Sequence, residues 1–247
     1  MLNYKYEVFT CKNSKAQDKP NEDFVMYDEK ENVGLILDGV SRDRENGSYP
    51  SPSPVLVASQ IFADSVLKKM SCNVGTGILK IQNMIYKANT ELKKYNEQLQ
   101  HRFPAGTVGI VFSFEQKHFN YGYIGDCYAA IIRDNRYRIF TECQTMMVSK
   151  HKKEYSADEI RFDICNHVSH PCGYGVWDGN SSAMDFVKYG TIQIMPGDVI
   201  LMFTDGLQAE VSEKNIVELI DTPLGQLFDT TPIEGKDDRT CIRITVQ

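Results

Sequence analysis

The sequence lacks a basic excess, a long apolar run and a paired-cysteine pattern, and each absence removes a class of protein. Its 33 acidic residues outnumber 27 Lys and Arg, leaving a net charge of -6. Nucleic-acid binders usually carry a basic stripe, so no nucleic-acid partner is expected. No stretch approaches the roughly 20 apolar residues of a membrane helix, so no membrane partner is expected either. The first residues, Met1-Leu2-Asn3-Tyr4-Lys5-Tyr6, lack the apolar centre of a secretion signal. Seven cysteines, an odd number, fit reduced thiols and a cytoplasmic setting better than a disulfide framework. Without an internal repeat or a dividing linker, residues 1–247 read as a single domain.

What the chain does contain is a repeated strand ending. Leu35-Ile36-Leu37-Asp38-Gly39, Tyr123-Ile124-Gly125-Asp126 and Ile200-Leu201-Met202-Phe203-Thr204-Asp205-Gly206 each run an apolar strand into an Asp beside a Gly. Asn21-Glu22-Asp23 and Asp237-Asp238 add two more acidic clusters. Carboxylates that converge from distant strand ends repel one another unless cations lie between them. Oxygen-only sites suit magnesium or manganese rather than zinc, so the pattern points to a metal-dependent enzyme.

The rest of the chain supplies a scaffold. Tyr4 to Cys11 reads as an opening strand, and Phe24 to Tyr27 with Val33 to Leu37 as neighbours. Arg42 to Pro54, rich in Ser, Pro and Gly, reads as a mobile loop. Val55 to Met70 and Ile78 to Leu99 space their apolar residues at three and four, the mark of helices with one buried face. Thr107 to Phe114, Phe119 to Ile124, Tyr128 to Ile132 and Tyr137 to Phe140 are short strands, most simply one antiparallel meander. Lys150 to Asn180 begins helical and ends Gly-rich. Thr191 to Ile194 and Val199 to Thr204 flank the turn Pro196-Gly197-Asp198. Ser212 to Ile220 reads as a helix capped by Ser212, and Thr240 to Val246 closes the chain as a strand. This order predicts an α+β sandwich rather than alternating βαβ units.

Taken together, Pro20-Asn21-Glu22-Asp23, Leu35 to Gly39, Gly106-Thr107, Ile124-Gly125-Asp126, Phe203-Thr204-Asp205-Gly206-Leu207 and Asp237-Asp238-Arg239-Thr240 resemble the metal-dependent serine/threonine protein phosphatases. This is the protein phosphatase 2C, or PPM, family, in a short prokaryotic-type form. The resemblance implies a four-layer α-β-β-α sandwich of two antiparallel sheets flanked by helices. It implies a binuclear manganese or magnesium centre, with a weaker third ion, and hydrolysis of phosphoserine and phosphothreonine by a metal-activated water. Carried over by position, Asp38 would bridge the ions, the Gly39 carbonyl would complete one, and Asp205 and Asp237 would hold the other. Asp38, Asp205 and Asp237 would thus be the catalytic set. Glu22 and Asp23 would orient waters around the ions, and Asp126 would serve the third. The partner would be a kinase-modified protein, and the chain a monomer.

The chain also departs from the family. Val40-Ser41 stands where many members have a His that protonates the leaving group. Asp18 stands where an Arg contacts phosphate, leaving Lys19 and Lys15 as candidate substitutes. Gly125-Asp126-Cys127-Tyr128 replaces Gly-Asp-Ser-Arg. These changes leave open a pseudophosphatase that binds without turnover, while a metal-dependent nuclease fits the carboxylates but not the charge. Cys165, His167, His170 and Cys172 suggest zinc by composition, though their spacing does not match a finger; a loop beside the cleft is the plainer reading. Trp177 reads as packing or as a substrate platform.

Overall fold

The computed structural model describes residues 2–12, 19–40, 49–68, 75–231 and 237–247. Strands β1 (Tyr4–Cys11), β2 (Phe24–Asp28), β3 (Val33–Gly39), β4 (Thr107–Glu115), β5 (His118–Ile124), β6 (Tyr128–Arg133), β7 (Arg136–Ile139), β8 (Lys188–Gln193), β9 (Val199–Phe203) and β10 (Arg239–Val246) form two antiparallel sheets. Their orders are β1-β10-β9-β6-β7 and β2-β3-β4-β5-β8. Helices α1 (Pro54–Lys68) and α2 (Gly77–Gln98) cover the second sheet. Short helices α4 (Gln208–Glu213), α5 (Ile216–Asp221) and α6 (Leu224–Leu227) cover the first, while α3 (Met146–His151) lies in the β7–β8 connection. The result is the expected α+β, four-layer sandwich.

Strand alternation explains the layers. In β9, Ile200 and Met202 enter the core between the sheets, while Val199, Leu201 and Phe203 enter a second core with Leu219, Leu224 and Phe228 under the short helices. With both faces buried, β9 reads as an unbroken apolar run. In α2 the buried face carries Ile81, Met84, Ile85, Ala88, Asn89 and Leu92. Each large aliphatic side chain there stabilises the fold by about 1.5–3 kcal/mol. Buried Asn89 is satisfied, donating to the Asn180 carbonyl and accepting from the Gly179 N–H, both at 2.9 Å. Trp177 is fully buried and stacks on Phe62 with ring centroids 4.5 Å apart, so it packs.

Two local expectations need correction. The meander is two hairpins: β4 and β5 pair in one sheet, whereas β6 and β7 belong to the other, and the chain crosses between sheets at Gly125-Asp126-Cys127. Alternation cannot reveal this, because β5 and β6 are buried on both faces. The single helix over 212–220 is α4 and α5, broken at Lys214-Asn215. Asn215 and Glu218 form a reciprocal capping box that starts a new helix, while the Ser212 hydroxyl donates back to the Ala209 carbonyl. The loop expected over 42–54 falls partly outside the described residues, and α1 already begins at Pro54.

Candidate active site

The acidic motifs meet at one rim of the sandwich: Asp38 lies at the end of β3, Asp126 and Asp205 just past β5 and β9, and Asp237-Asp238 just before β10 begins. At β3, Thr107 Oγ1 donates to the Asp38 carbonyl at 2.8 Å, fixing the backbone that carries Asp38. Gly39 is required by crowding as well as by freedom of its carbonyl: an added Cβ would lie 2.4 Å from Val55 and 2.9 Å from the Glu22 carbonyl. At β9, Thr204 joins three segments. Its N–H donates to the Thr240 carbonyl, its hydroxyl donates to Asp23 Oδ2 at 2.9 Å and accepts from the Thr240 N–H at 3.0 Å. The turn at Asp205 lies against the Asp237–Asp238 backbone, and a Cβ on Gly206 would stand 2.1 Å from the Asp238 carbonyl. Only glycine permits that approach.

Glu22 is buried beside the start of α1. Its carboxylate accepts from the Tyr49 and Ser53 hydroxyls, and Ser53 also caps the helix by accepting the Leu56 N–H at 3.2 Å. Asp238 is buried and accepts the Glu22 N–H at 3.0 Å, whereas Asp237 is more than half exposed and accepts the Asp238 N–H at 2.9 Å. Behind them, buried Arg239 donates to Glu210 and to the Asp229 and Thr231 carbonyls at 2.8–3.0 Å, anchoring the strand end to α4.

Among the described residues, Asp23, Asp38, Asp126 and Asp205 have no cationic partner. Burial first, and then the neighbouring carboxylates, push Asp38 and Asp23 well above the ordinary carboxylate range. Burial together with Asp126 and Asp237 raises Asp205 to about 6. Burial also raises Asp126, against the opposing hydrogen bond from Thr145 Oγ1 at 2.8 Å. Asp205 Oδ1 is buried without a hydrogen-bond partner. An uncompensated, oxygen-only cluster with an orphaned acceptor fits hard divalent ions. Among the described residues no group of three or more His, Cys, Asp or Glu side chains is arranged around one point in this structure. Adjacent Cys127 is buried, and its thiol is pushed well up by burial and by Asp38, so it stays protonated and is no nucleophile.

Asp38, Gly39, Asp126, Asp205 and Asp237 line a cavity of about 550 Å³. Its other wall is built from residues that the motifs did not mark, among them Phe103, Lys152, Ile160, Arg161 and Tyr174. Thr145 and Gln144 were also missed. The Gln144 side chain accepts the Gly125 N–H at 3.0 Å and donates to the Phe186 carbonyl at 2.8 Å, which holds the turn presenting Asp126. Lys19 lies against Glu22, Asp237 and Asp238 at 3.3–3.6 Å. Lys15 and Asp18 lie outside the described residues. In the Cys/His loop, His170 Nδ1 accepts the Cys172 N–H at 3.1 Å, its ring meets Tyr155 edge-on, and Cys165 pairs through the backbone with cavity-lining Tyr174.

No known family model matches the chain, and no curated protein matches it in sequence. Solved structures do match its fold. A Mycobacterium tuberculosis serine/threonine phosphatase, PstP/Ppp, is 19% identical with a TM-score of 0.72 over 98% of both chains. The PstP catalytic domain in complex with 2 manganese ions is 16% identical, with a TM-score of 0.70 over 100% of this chain and 99% of that one. RsbX in complex with magnesium is 17% identical, with a TM-score of 0.58 over 99% and 96%. The chain therefore has the fold of the PPM serine/threonine phosphatases.

Proposed function

We propose that the chain is a metal-dependent phosphoprotein phosphatase, acting on phosphoserine and phosphothreonine at a centre of two manganese or magnesium ions with a weaker third. The observation that carries this reading is the buried, uncompensated cluster of Asp23, Asp38, Asp126 and Asp205, open to a cavity wide enough for a phosphorylated side chain. The manganese and magnesium held by proteins of the same fold support it.

Asp38 and the Gly39 carbonyl would hold one ion, Asp38, Asp205 and Asp237 the other, and Asp126 the third; Glu22 and Asp23 would orient the surrounding waters. When bound, the ions would offset the carboxylates, attract the phosphomonoester dianion and make water acidic enough to attack near neutral pH. Thr107 and Thr204 keep Asp38 and Asp23 in register for that role. Lys152 and Arg161, on the wall of the same cavity, would draw in the phosphoryl group and orient it. Phe103, Ile160 and Tyr174 would shape the apolar side of the peptide channel. Val40 has no proton to give, so solvent water would protonate the leaving alcohol. Among the described residues no helix is long and apolar enough to cross a membrane; a cytoplasmic monomer acting on kinase-modified proteins completes the reading.

The test is hydrolysis of an aryl phosphate and of phosphoserine peptides with manganese, magnesium or EDTA. Turnover with either ion and its loss in EDTA are expected; equal rates in chelator would sink the reading. A second reading, a phosphopeptide-binding module without turnover, is favoured by Val40 in the cavity wall. Metal-dependent peptide binding with no hydrolysis would select it.

A further inference from the structure

Lys19 carries the inference. Its ammonium lies 3.3 Å from Glu22 Oε2, 3.5 Å from Asp238 Oδ2 and 3.6 Å from Asp237 Oδ1, and its side chain is only 13% exposed. The arrangement is one charge centred among three carboxylates, rather than a surface pair. A lysine ammonium is cationic near neutral pH, and the three carboxylates around it are its counter-charges. The partners are themselves anchored. Glu22 is held by Tyr49 and Ser53, and Asp238 by the Glu22 N–H. Lys19 therefore faces a corner that keeps its shape, and a divalent ion approaching Asp237 meets a resident positive charge within a few ångströms.

Resting on the metal-centre reading above, we propose that Lys19 is an internal counter-cation of the Glu22–Asp237–Asp238 corner, which the ion held by Asp237 must displace. The two ion positions are then unequal. The position on the uncompensated Asp38 side fills first. The position that needs Asp237 fills only as Lys19 swings away, and the protein's metal requirement follows the second step.

The experiment is a manganese titration by calorimetry on wild type, Lys19→Met and Lys19→Arg, with folding checked by circular dichroism. Apart from the third ion's site at Asp126, wild type should show a tight and a weak class. Lys19→Met should tighten the weak class by about tenfold or more, because a like charge has been removed at close range. Lys19→Arg, which keeps the charge, should stay within about threefold of wild type. A weak class that is unchanged or further weakened in Lys19→Met would overturn the proposal. Should Lys19→Met not fold, acetylation of Lys19 in wild type, followed by mass spectrometry, decides. Manganese should speed it by releasing the amine; labelling that is unchanged or slowed overturns the proposal. Absence of manganese binding in all three proteins removes the metal centre and the inference together. The expected binding pattern without phosphopeptide hydrolysis supports the inference and overturns only the phosphatase reading.

Discussion

The two halves of the acidic cleft differ in one respect, an internal cation. In the corner, Glu22, Asp237 and Asp238 share Lys19. On the floor, Asp23, Asp38, Asp126 and Asp205 have no such cation, and their pKa values are raised first by burial and then by neighbouring carboxylates. Burying carboxylates without counter-charge destabilises a fold. The corner has a counter-charge from the chain itself; the floor has none among the described residues. The difference shows where a ligand of opposite charge would gain most.

The strongest test of this contrast is Asp38→Asn. Removing the central floor charge should lower kcat/KM by about a hundredfold to a thousandfold, the range for losing one preorganised electrostatic group. The metal-free melting temperature should hold or rise, because a repulsive charge has gone. A clear fall in that temperature with unchanged activity would remove Asp38 from the floor's charge conflict. Next in size is the cavity's cationic wall. Lys152→Ala combined with Arg161→Ala should raise KM for phosphopeptides by about tenfold with kcat nearly kept, as expected for lost charge-assisted hydrogen bonds. A matching loss in kcat alone would place these residues in the chemical step instead.

Asp126→Ala should have a smaller, conditional effect. Turnover should fall several-fold at limiting manganese and recover with excess ion, while calorimetry still shows the tightest site. Loss of that tightest site would move Asp126 into the primary pair. The mildest test is pH. The floor carboxyls hold protons in the folded protein that the unfolded chain has already released. Stability of the metal-free protein should therefore fall as pH rises from the ordinary carboxylate range near ~4 toward Asp205's value of about 6. Melting curves between about pH 4.5 and about pH 6.5 should show this decline, and saturating manganese should flatten it. A metal-free protein whose stability rises across that window would contradict the charge conflict on the floor.

Much of this was legible in the chain alone. The spans of β1, α1 and α2 follow from periods of two and about 3.6, that of β9 from an unbroken apolar run, and Asp38, Asp126 and Asp205 stand out because each closes an apolar strand. These are short-range signals, carried within a handful of residues by side-chain direction and turn chemistry. The tertiary structure alone decided which sheet received β6, why α4 and α5 separate, which carboxylates Lys19 would serve, and that Lys152, Arg161 and Thr145 would face the cleft. It also gave Gly206 its purpose, since the carbonyl that excludes a side chain there belongs to Asp238. Strand partners buried on both faces look alike in sequence, and a charge's partner depends on segments hundreds of residues apart meeting at one rim: Glu22 and Asp238 are 216 positions apart. Local physics wrote the strands and their acidic ends; only the packing of the two sheets determined which of those acids would meet a cation of the chain and which would be buried without one.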